Sequence, residues 1–257
     1  MPTLQSNGIT IAYQTAGDPK AAPVLLVPGL TVSKEDFIAV LEPLAAGGHR
    51  VVAALYDRAT AAAERGWLGD QRRALLSTAA GRTLEIGAGT GANLAHLPAA
   101  VTTLVLAEPD PAMRRRLERR LAGAPRSGAR VDASRAERLD LADAGVDTVV
   151  ATLVLCSVED PVAALAELRR VLRPGGRLLL LEHVRAAGAR GRWQERLSPL
   201  WRRVAAGCHP DRDTLAAVRA AGFATDDLRL VRGGPGRPLL TPWIVGGATA
   251  PGGPPSG

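Results

Sequence analysis

Three glycines in five residues, Gly87-Ala88-Gly89-Thr90-Gly91, follow the run Arg82-Thr83-Leu84-Glu85-Ile86 and precede a segment over 92–97 of helical character. A loop this rich in glycine turns a strand sharply into a helix and lets the backbone come close to a ligand, because no Cβ stands in the way. With Ala92 the loop satisfies the loose dinucleotide fingerprint G-x-G-x-x-G/A, so a nicotinamide cofactor is one reading. A second strand over 103–107 ends in Glu108, seventeen residues past Gly91. A carboxylate there can accept hydrogen bonds from both hydroxyls of a ribose, which suits a dinucleotide and other adenosyl cofactors alike. The chain is therefore expected to build an open α/β sheet whose ligand lies at the carboxyl ends of the strands.

Residues outside the loop separate the cofactors. Apolar positions over 57–77 recur at helical spacing, with Gly81 as the stop. The runs over 145–156 and 172–183 read as two further strands, and Leu172-Arg173-Pro174-Gly175-Gly176 ends a helix with proline and reverses the chain with glycine. Leu84-Glu85-Ile86-Gly87-Ala88-Gly89-Thr90-Gly91, with its acidic residue before the loop, resembles motif I of the class I methyltransferases, and the Leu-Arg-Pro-Gly-Gly turn resembles a second element of that family. The resemblance runs from Tyr56 to Ala248 almost without a gap. It implies a Rossmann-like, doubly wound, seven-stranded α/β sheet and S-adenosyl-L-methionine as cofactor. In that family the acid at the place of Glu85 lies near the methionine part, whose ammonium needs a charge partner that dinucleotides do not require. The other reading of Glu85 is an acid paired with a nearby arginine. Carried over residue by residue, the family pattern assigns Glu85, Gly87, Ala88, Gly89, Thr90, Gly91, Glu108, Pro109 and Thr152 to the cofactor. Ser134-Arg135-Ala136-Glu137 matches the loop that holds the adenine. The aspartate frequent two places before the glutamate is Arg135 here, so only Ala136 and Glu137 are carried over.

The first 54 residues follow a different pattern. Residues 8–13 alternate like a half-buried strand, 24–27 form a short apolar strand ending in Pro28-Gly29, 50–53 fit a third, and 34–46 reads as a helix. Asn7-Gly8-Ile9-Thr10-Ile11-Ala12-Tyr13, Leu25-Leu26-Val27-Pro28-Gly29-Leu30 and Gly48-His49-Arg50-Val51-Val52-Ala53 together resemble the opening of an α/β-hydrolase. Such an enzyme needs its serine on a Gly-x-Ser-x-Gly elbow, and no serine of this chain has glycine two places before and two after it. Residues 1–54 are thus expected to be a short α/β appendage without hydrolase chemistry, with His49 an ordinary loop residue. Residues 55–249 form the methyltransferase-like domain, and 250–257, rich in glycine and proline, are expected to be a disordered tail.

A narrower resemblance is carried by Thr152-Leu153-Val154-Leu155-Cys156-Ser157-Val158, Arg170-Val171-Leu172-Arg173-Pro174-Gly175-Gly176, Glu182-His183-Val184, and Gly207-Cys208-His209 with Arg212-Asp213. It is to the methyltransferase-like group that includes thiol S-methyltransferases, with ubiquinone and menaquinone methyltransferase-like enzymes next. This implies a small-molecule methyl acceptor, a thiol favoured over a quinone ring carbon. The alternatives are a quinone- or lipid-type C-, O- or N-methyltransferase and a cofactor-binding protein without turnover. Methyl transfer from a sulfonium is an in-line displacement in which alignment supplies roughly 7 to 11 kcal/mol, so a dedicated base is optional. Glu182 and His183 follow an apolar strand at the ligand end of the sheet and are the candidate catalytic residues. His183 can accept the proton of a thiol, or hold a loop by hydrogen bonds. Cys208-His209 offers two metal ligands without a partner pair, so no metal is expected. Trp193, Leu197, Leu200, Trp201 and Val204 recur at helical spacing among Arg192, Arg196, Arg202 and Arg203. That segment reads as a lid over the acceptor, as a surface for anionic lipid, or as an ordinary amphipathic helix bent at Pro199.

Charge and composition narrow the partners. The net charge of +7 comes from arginines such as Arg72-Arg73, Arg114-Arg115-Arg116, Arg169-Arg170 and Arg202-Arg203, each on an expected helix where a solvated face is the default. Aromatic residues make up 3%, too few for the stacking platforms of a single-strand binder, so no nucleic-acid partner is expected. Cys156 and Cys208 are no disulfide framework and read as free thiols. No apolar run approaches the roughly 18 residues of a spanning helix, and the polar start Met1-Pro2-Thr3-Leu4-Gln5-Ser6 lacks the plan of a signal peptide. The expectation is a cytoplasmic monomer, with peripheral membrane contact not favoured.

Overall fold

The computed structural model describes residues 3–6, 9–16, 23–26, 50–54, 66–126, 128–204, 207–233 and 240–252. The helix expected over 34–46, Pro28-Gly29, His49, residues 57–65 of the next expected helix, and 253–257 of the tail lie outside them. Near the start, strands β1 (Thr3–Ser6), β2 (Ile9–Ala16), β3 (Pro23–Leu26) and β4 (Arg50–Ala54) form a four-stranded sheet in the order β1-β2-β4-β3. β3 and β4 run parallel, and the other pairs are antiparallel. The three strands expected there are present, and β1 is an addition.

The larger unit runs α1 (Trp67–Leu76), β5 (Gly81–Ile86), β6 (Val101–Ala107), α2 (Pro111–Gly123), β7 (Ala129–Asp132), β8 (Val146–Thr152), α3 (Pro161–Val171), β9 (Leu172–His183), α4 (Gly188–Val204), α5 (Thr214–Ala220), β10 (Arg229–Val231) and β11 (Trp243–Thr249). Its strands form one seven-stranded sheet, β10-β11-β9-β8-β5-β6-β7. From β7 to β9 the strands are parallel, while β11 pairs antiparallel with both β9 and β10. The order reverses between β5 and β8, and a crevice for a ligand opens at the carboxyl side of such a switch point.

Helices cover both faces, which explains why Leu178-Leu179-Leu180-Leu181 is apolar without alternation. Leu178 and Leu180 pack with Leu84, Ile86, Val149, Leu165, Leu168 and Phe223 on one side. Leu179 and Leu181 pack with Leu75, Leu76, Leu104, Leu106, Val150 and Trp243 on the other. α3 starts where Asp160 accepts hydrogen bonds from the N–H groups of Val162 and Ala163 with Pro161 in the first turn, a standard entry. The Arg173–Gly176 turn is accommodated by a register shift between Val146 and Thr148. Ala250 is buried and donates its N–H to Gly176 O, so the packed unit extends one residue past the expected boundary at 249.

Two expectations are corrected. The helix expected from residue 92 is a single 3-10 turn, Leu94–His96. Pro98 pushes the preceding Leu97 into an extended conformation, which stops helical propagation. The second correction concerns one of the three readings of α4, the ordinary amphipathic helix, because its buried side is not its apolar stripe. Gly191, Gln194 and Ser198 face inward and Trp201 is half-buried, whereas Trp193 and Leu200 are 61% and 62% exposed. The inward face must satisfy backbone groups just past the end of β9 and just before β11. Gln194 Oε1 accepts from Ala186 N–H, its Nε2 donates to Val184 O and Thr241 O, and Ser198 Oγ donates to Asp211. Among the described residues no helix is long and apolar enough to cross a membrane.

Candidate active site

The glycine loop leaves the end of β5 with Gly87, Gly89 and Gly91 all at positive φ, which L side chains adopt only under strain. The three are not equivalent. A Cβ on Gly87 would sit 2.3 Å from Val154 Cγ2, and one on Gly91 would sit 2.8 Å from Leu94 Cδ1 and 2.9 Å from Leu117 Cδ1. A Cβ on Gly89 would meet nothing nearer than Gly87 O at 4.0 Å. The first and last glycines are therefore required by packing, whereas Gly89 borders open space at the crevice.

The acid at the end of β6 holds that loop. Glu108 Oε2 accepts the Gly89 N–H at 2.8 Å and Oε1 accepts the Asp110 N–H at 2.9 Å. Burial pushes its carboxyl above the usual range, and these two N–H groups oppose the shift. Arg114 donates to the carbonyls of Glu108 and Pro109, so this helical arginine is a tether as well as a solvated charge. Ala88 donates its N–H to Ala107 O, and Thr90 is half-buried beside it.

Glu85 lies at the centre of a buried polar group that sequence reasoning missed. Asn93 Nδ2 donates to Glu85 Oε1 at 2.9 Å and to Thr152 Oγ1 at 2.9 Å, while Arg72 Nη1 donates to Asn93 Oδ1 and, at 3.2 Å, to Thr152 Oγ1. Arg72 is 4% exposed, which corrects its reading as part of a solvated helix face. The signal was present: Leu68, Arg72, Leu75 and Leu76 share one face of α1 by their spacing. Asn93 had no comparable signal, since it stood inside an expected helix. Burial pushes the Glu85 carboxyl up to about 7, against the Asn93 hydrogen bond and the Arg72 charge. Its Oε2 is buried with no hydrogen-bond partner among the described residues. A ligand that brings an ammonium would supply what this oxygen lacks.

The loop after β8 is held from β9. Glu182 Oε1 accepts the N–H groups of Val154 and Leu155 at 2.7 and 2.8 Å, and burial pushes its carboxyl well above the ordinary value. Leu153 carries φ +59°, a strained value for a bulky residue, at the carboxyl end of β8. His183, the last residue of β9, does not stand alone: its Nε2 is 3.0 Å from Cys208 Sγ, and Cys156 lies against the same pair. Cys208 thus meets His183 and Cys156, and not its sequence neighbour His209, as the other donor groups around it. A hydrogen bond from Cys156 holds the Cys208 thiol below its usual value, and donating it pushes Cys156 up to about 12.

Of the adenine-loop pair, Ala136 is buried, and Glu137 Oε1 accepts from the N–H groups of Glu159 and Asp160 at 2.9 and 3.3 Å. The structure thus gathers Glu85, Thr152, the glycine loop and Glu108 at the carboxyl ends of β5, β8 and β6. Glu182 and His183 end the next strand, β9, and Glu137 is committed to the start of α3.

A family model described as a methyltransferase domain matches residues 84–180. The chain belongs to the class I S-adenosylmethionine-dependent methyltransferases. Among individual relatives, thiol S-methyltransferase TMT1A of Homo sapiens is 34% identical over 167 residues, covering 63% of this chain and 68% of the relative. Thiol S-methyltransferase TMT1B of Rattus norvegicus is 37% identical over 145 residues, covering 55% of this chain. The alignment spans 59% of that relative's own length. A solved structure described as a possible histamine N-methyltransferase from Thermotoga maritima shares the fold, with a TM-score of 0.54 at 22% identity over 84% of this chain and 97% of that one.

One test of the Glu85 site follows from its raised carboxyl value. A carboxyl raised by burial stabilises the fold below its unfolded value near 4.5, and that contribution is lost as pH rises through about 7. Glu85→Gln is therefore expected to be more stable than the unchanged chain at pH 8 by up to roughly 3 kcal/mol, read as a higher Tm, with no such gain at pH 5. Thermal melts at the two pH values check this, and a uniform loss at both would contradict it.

Proposed function

We propose that the protein transfers a methyl group from S-adenosylmethionine to a small thiol. The observation that carries the cofactor half is Glu85 Oε2, a buried carboxylate oxygen without a partner beside a glycine loop that is open at Gly89. S-adenosylmethionine supplies an electrophilic methyl on a sulfonium sulfur. In this reading Glu85, oriented by Asn93 and Thr152, pairs with the ammonium of the methionine part. The backbone of Gly87, Ala88, Gly89, Thr90 and Gly91 lines the middle of the cofactor, Glu108 and Pro109 hold the ribose edge, and Ala136 and Glu137 border the adenine.

At the acceptor end, Glu182 positions the 153–155 loop, and His183 with its two thiol neighbours is the polar group we assign to the acceptor side. The thiol half is supported by the names of the two relatives and by the residues that carry the likeness to them. The test is a panel of an alkyl thiol, hydrogen sulfide, thiophenol, a phenol, a quinol and an amine, with release of S-adenosylhomocysteine as the readout. Turnover is expected with the thiols, and kcat/KM is expected to rise with pH toward each acceptor's own pKa, because the thiolate is the nucleophile. Turnover confined to the quinol or the amine would remove the thiol assignment.

A further inference from the structure

Cys156, His183 and Cys208 reach one place from three segments: the loop after β8, the end of β9 and the turn after α4. All three side chains are buried, and their donor atoms lie within 4.8 Å of one another. Zinc–sulfur bonds of about 2.3 Å and zinc–nitrogen bonds of about 2.0–2.1 Å set the donor atoms of a tetrahedral site roughly 3.4 to 3.8 Å apart. Small side-chain adjustments bring the trio to that spacing from where it stands. Two thiols and an imidazole form a donor set for a borderline-soft cation and suit neither magnesium nor calcium.

The surroundings hold the two thiol segments in place, while His183 Nδ1 is buried without a hydrogen-bond partner among the described residues. Trp201 Nε1 donates to Cys208 Sγ at 3.4 Å, and His209 N–H donates to Cys156 O at 2.9 Å. Arg212 Nη1 donates to Leu155 O at 2.7 Å, and the Trp243 ring meets the His183 ring edge-on at 5.8 Å. These contacts join the 155–156 and 208–212 segments, so the thiols are held together by the fold. Among the described residues no fourth His, Cys, Asp or Glu joins the trio. Three protein ligands with one position left for an outside ligand distinguish a catalytic zinc from a structural one.

We propose that Cys156, His183 and Cys208 bind one Zn²⁺ ion, and that its fourth position receives the sulfur of the thiol acceptor. The first half stands on the cluster alone, and the second rests on the thiol reading above. A thiol that coordinates zinc gives up its proton to solvent, so the thiolate is present without a general base. A lone pair of that sulfur forms the new S–CH₃ bond. The bond from the sulfonium sulfur to the methyl breaks with its electron pair left on that sulfur, which becomes a neutral thioether. The methylated acceptor, itself a thioether, has lost its charge and leaves the ion.

The full chain, purified anaerobically with a phosphine reductant, is expected to carry about one zinc by elemental analysis. On exchange, Co²⁺ should give thiolate charge-transfer absorption and the intense visible bands of a tetrahedral ion, saturating at about one equivalent. Cys208→Ser should cut metal retention at least about tenfold, whereas His209→Ala, next to the trio but outside it, should retain the metal. Absence of the cobalt bands in the folded, reduced, unsubstituted chain overturns the site even if the variants fail to fold. Thiophenol added to the cobalt protein should shift the charge-transfer band. A bound ion whose spectrum thiophenol leaves unchanged overturns acceptor coordination alone. A panel in which every thiol is inert while the ion is bound overturns the thiol reading and leaves the metal site standing.

Discussion

Replacing Glu108 with alanine is expected to weaken S-adenosylmethionine binding by roughly two orders of magnitude or more, since charge-assisted hydrogen bonds to a buried carboxylate contribute about 1.5–3 kcal/mol each. The structure adds a second reason. Glu108 also accepts the Gly89 and Asp110 N–H groups, so the substitution loosens the loop that the cofactor lies against. Glu108→Gln is expected to lose affinity as well, because its single carbonyl oxygen can accept only one of the two N–H groups and its NH2 then faces the other, donor against donor. Calorimetric titration gives both numbers. An unchanged dissociation constant for the alanine variant would discard the ribose role.

The second large effect is a contrast between two neighbouring glycines. Gly87→Ala places a methyl 2.3 Å from Val154 Cγ2 at φ +57°, so the expected penalty is roughly 3 kcal/mol, a fall of about 6 to 12 °C in Tm. Gly89→Ala meets no atom closer than 4.0 Å and suffers only the backbone strain of φ +56°, about 1 to 2 kcal/mol. That second variant is expected to fold and yet lose cofactor affinity by about a hundredfold, because its methyl occupies the approach to the backbone. Melting curves paired with titrations distinguish the two. A Gly89→Ala chain that binds as tightly as the original would show that the cofactor does not pass this point.

Local patterns made much of this legible. The glycine loop with Glu85 before it and Glu108 after the next strand announced the sheet and its ligand end, because strand, turn and acid each leave a signal within a few residues. The strand bounds at Leu172–His183 followed from the same short-range patterns, whereas the cofactor class rested on the resemblance of Leu84–Gly91 to motif I of the class I methyltransferases. What escaped was made by contacts between distant segments. Asn93 gave up helical structure and spends its amide on Glu85 and Thr152, a choice invisible without β8 alongside. Periodicity left the apolar stripe of α4 open as a lid, a lipid surface or a packed face, and it gave no sign that the backbone groups at Val184, Ala186 and Thr241 would draw Gln194 into the buried position. Cys156 and Cys208 stand 52 residues apart in the chain, and nothing in the spacing joins them to His183.

The loop after β8 has a further consequence. Glu182 grips it on one side through the Val154 N–H, and on the other the Val154 side chain fills the space that makes Gly87 obligatory. In the proposed reading the acceptor and cofactor sides therefore share Val154 as one wall, and a displacement of that wall by a bulky acceptor would reach the glycine loop through direct packing. Linkage then requires that acceptor and cofactor alter each other's affinity by the same factor, so a cofactor affinity measured beside one acceptor need not hold beside another of different girth.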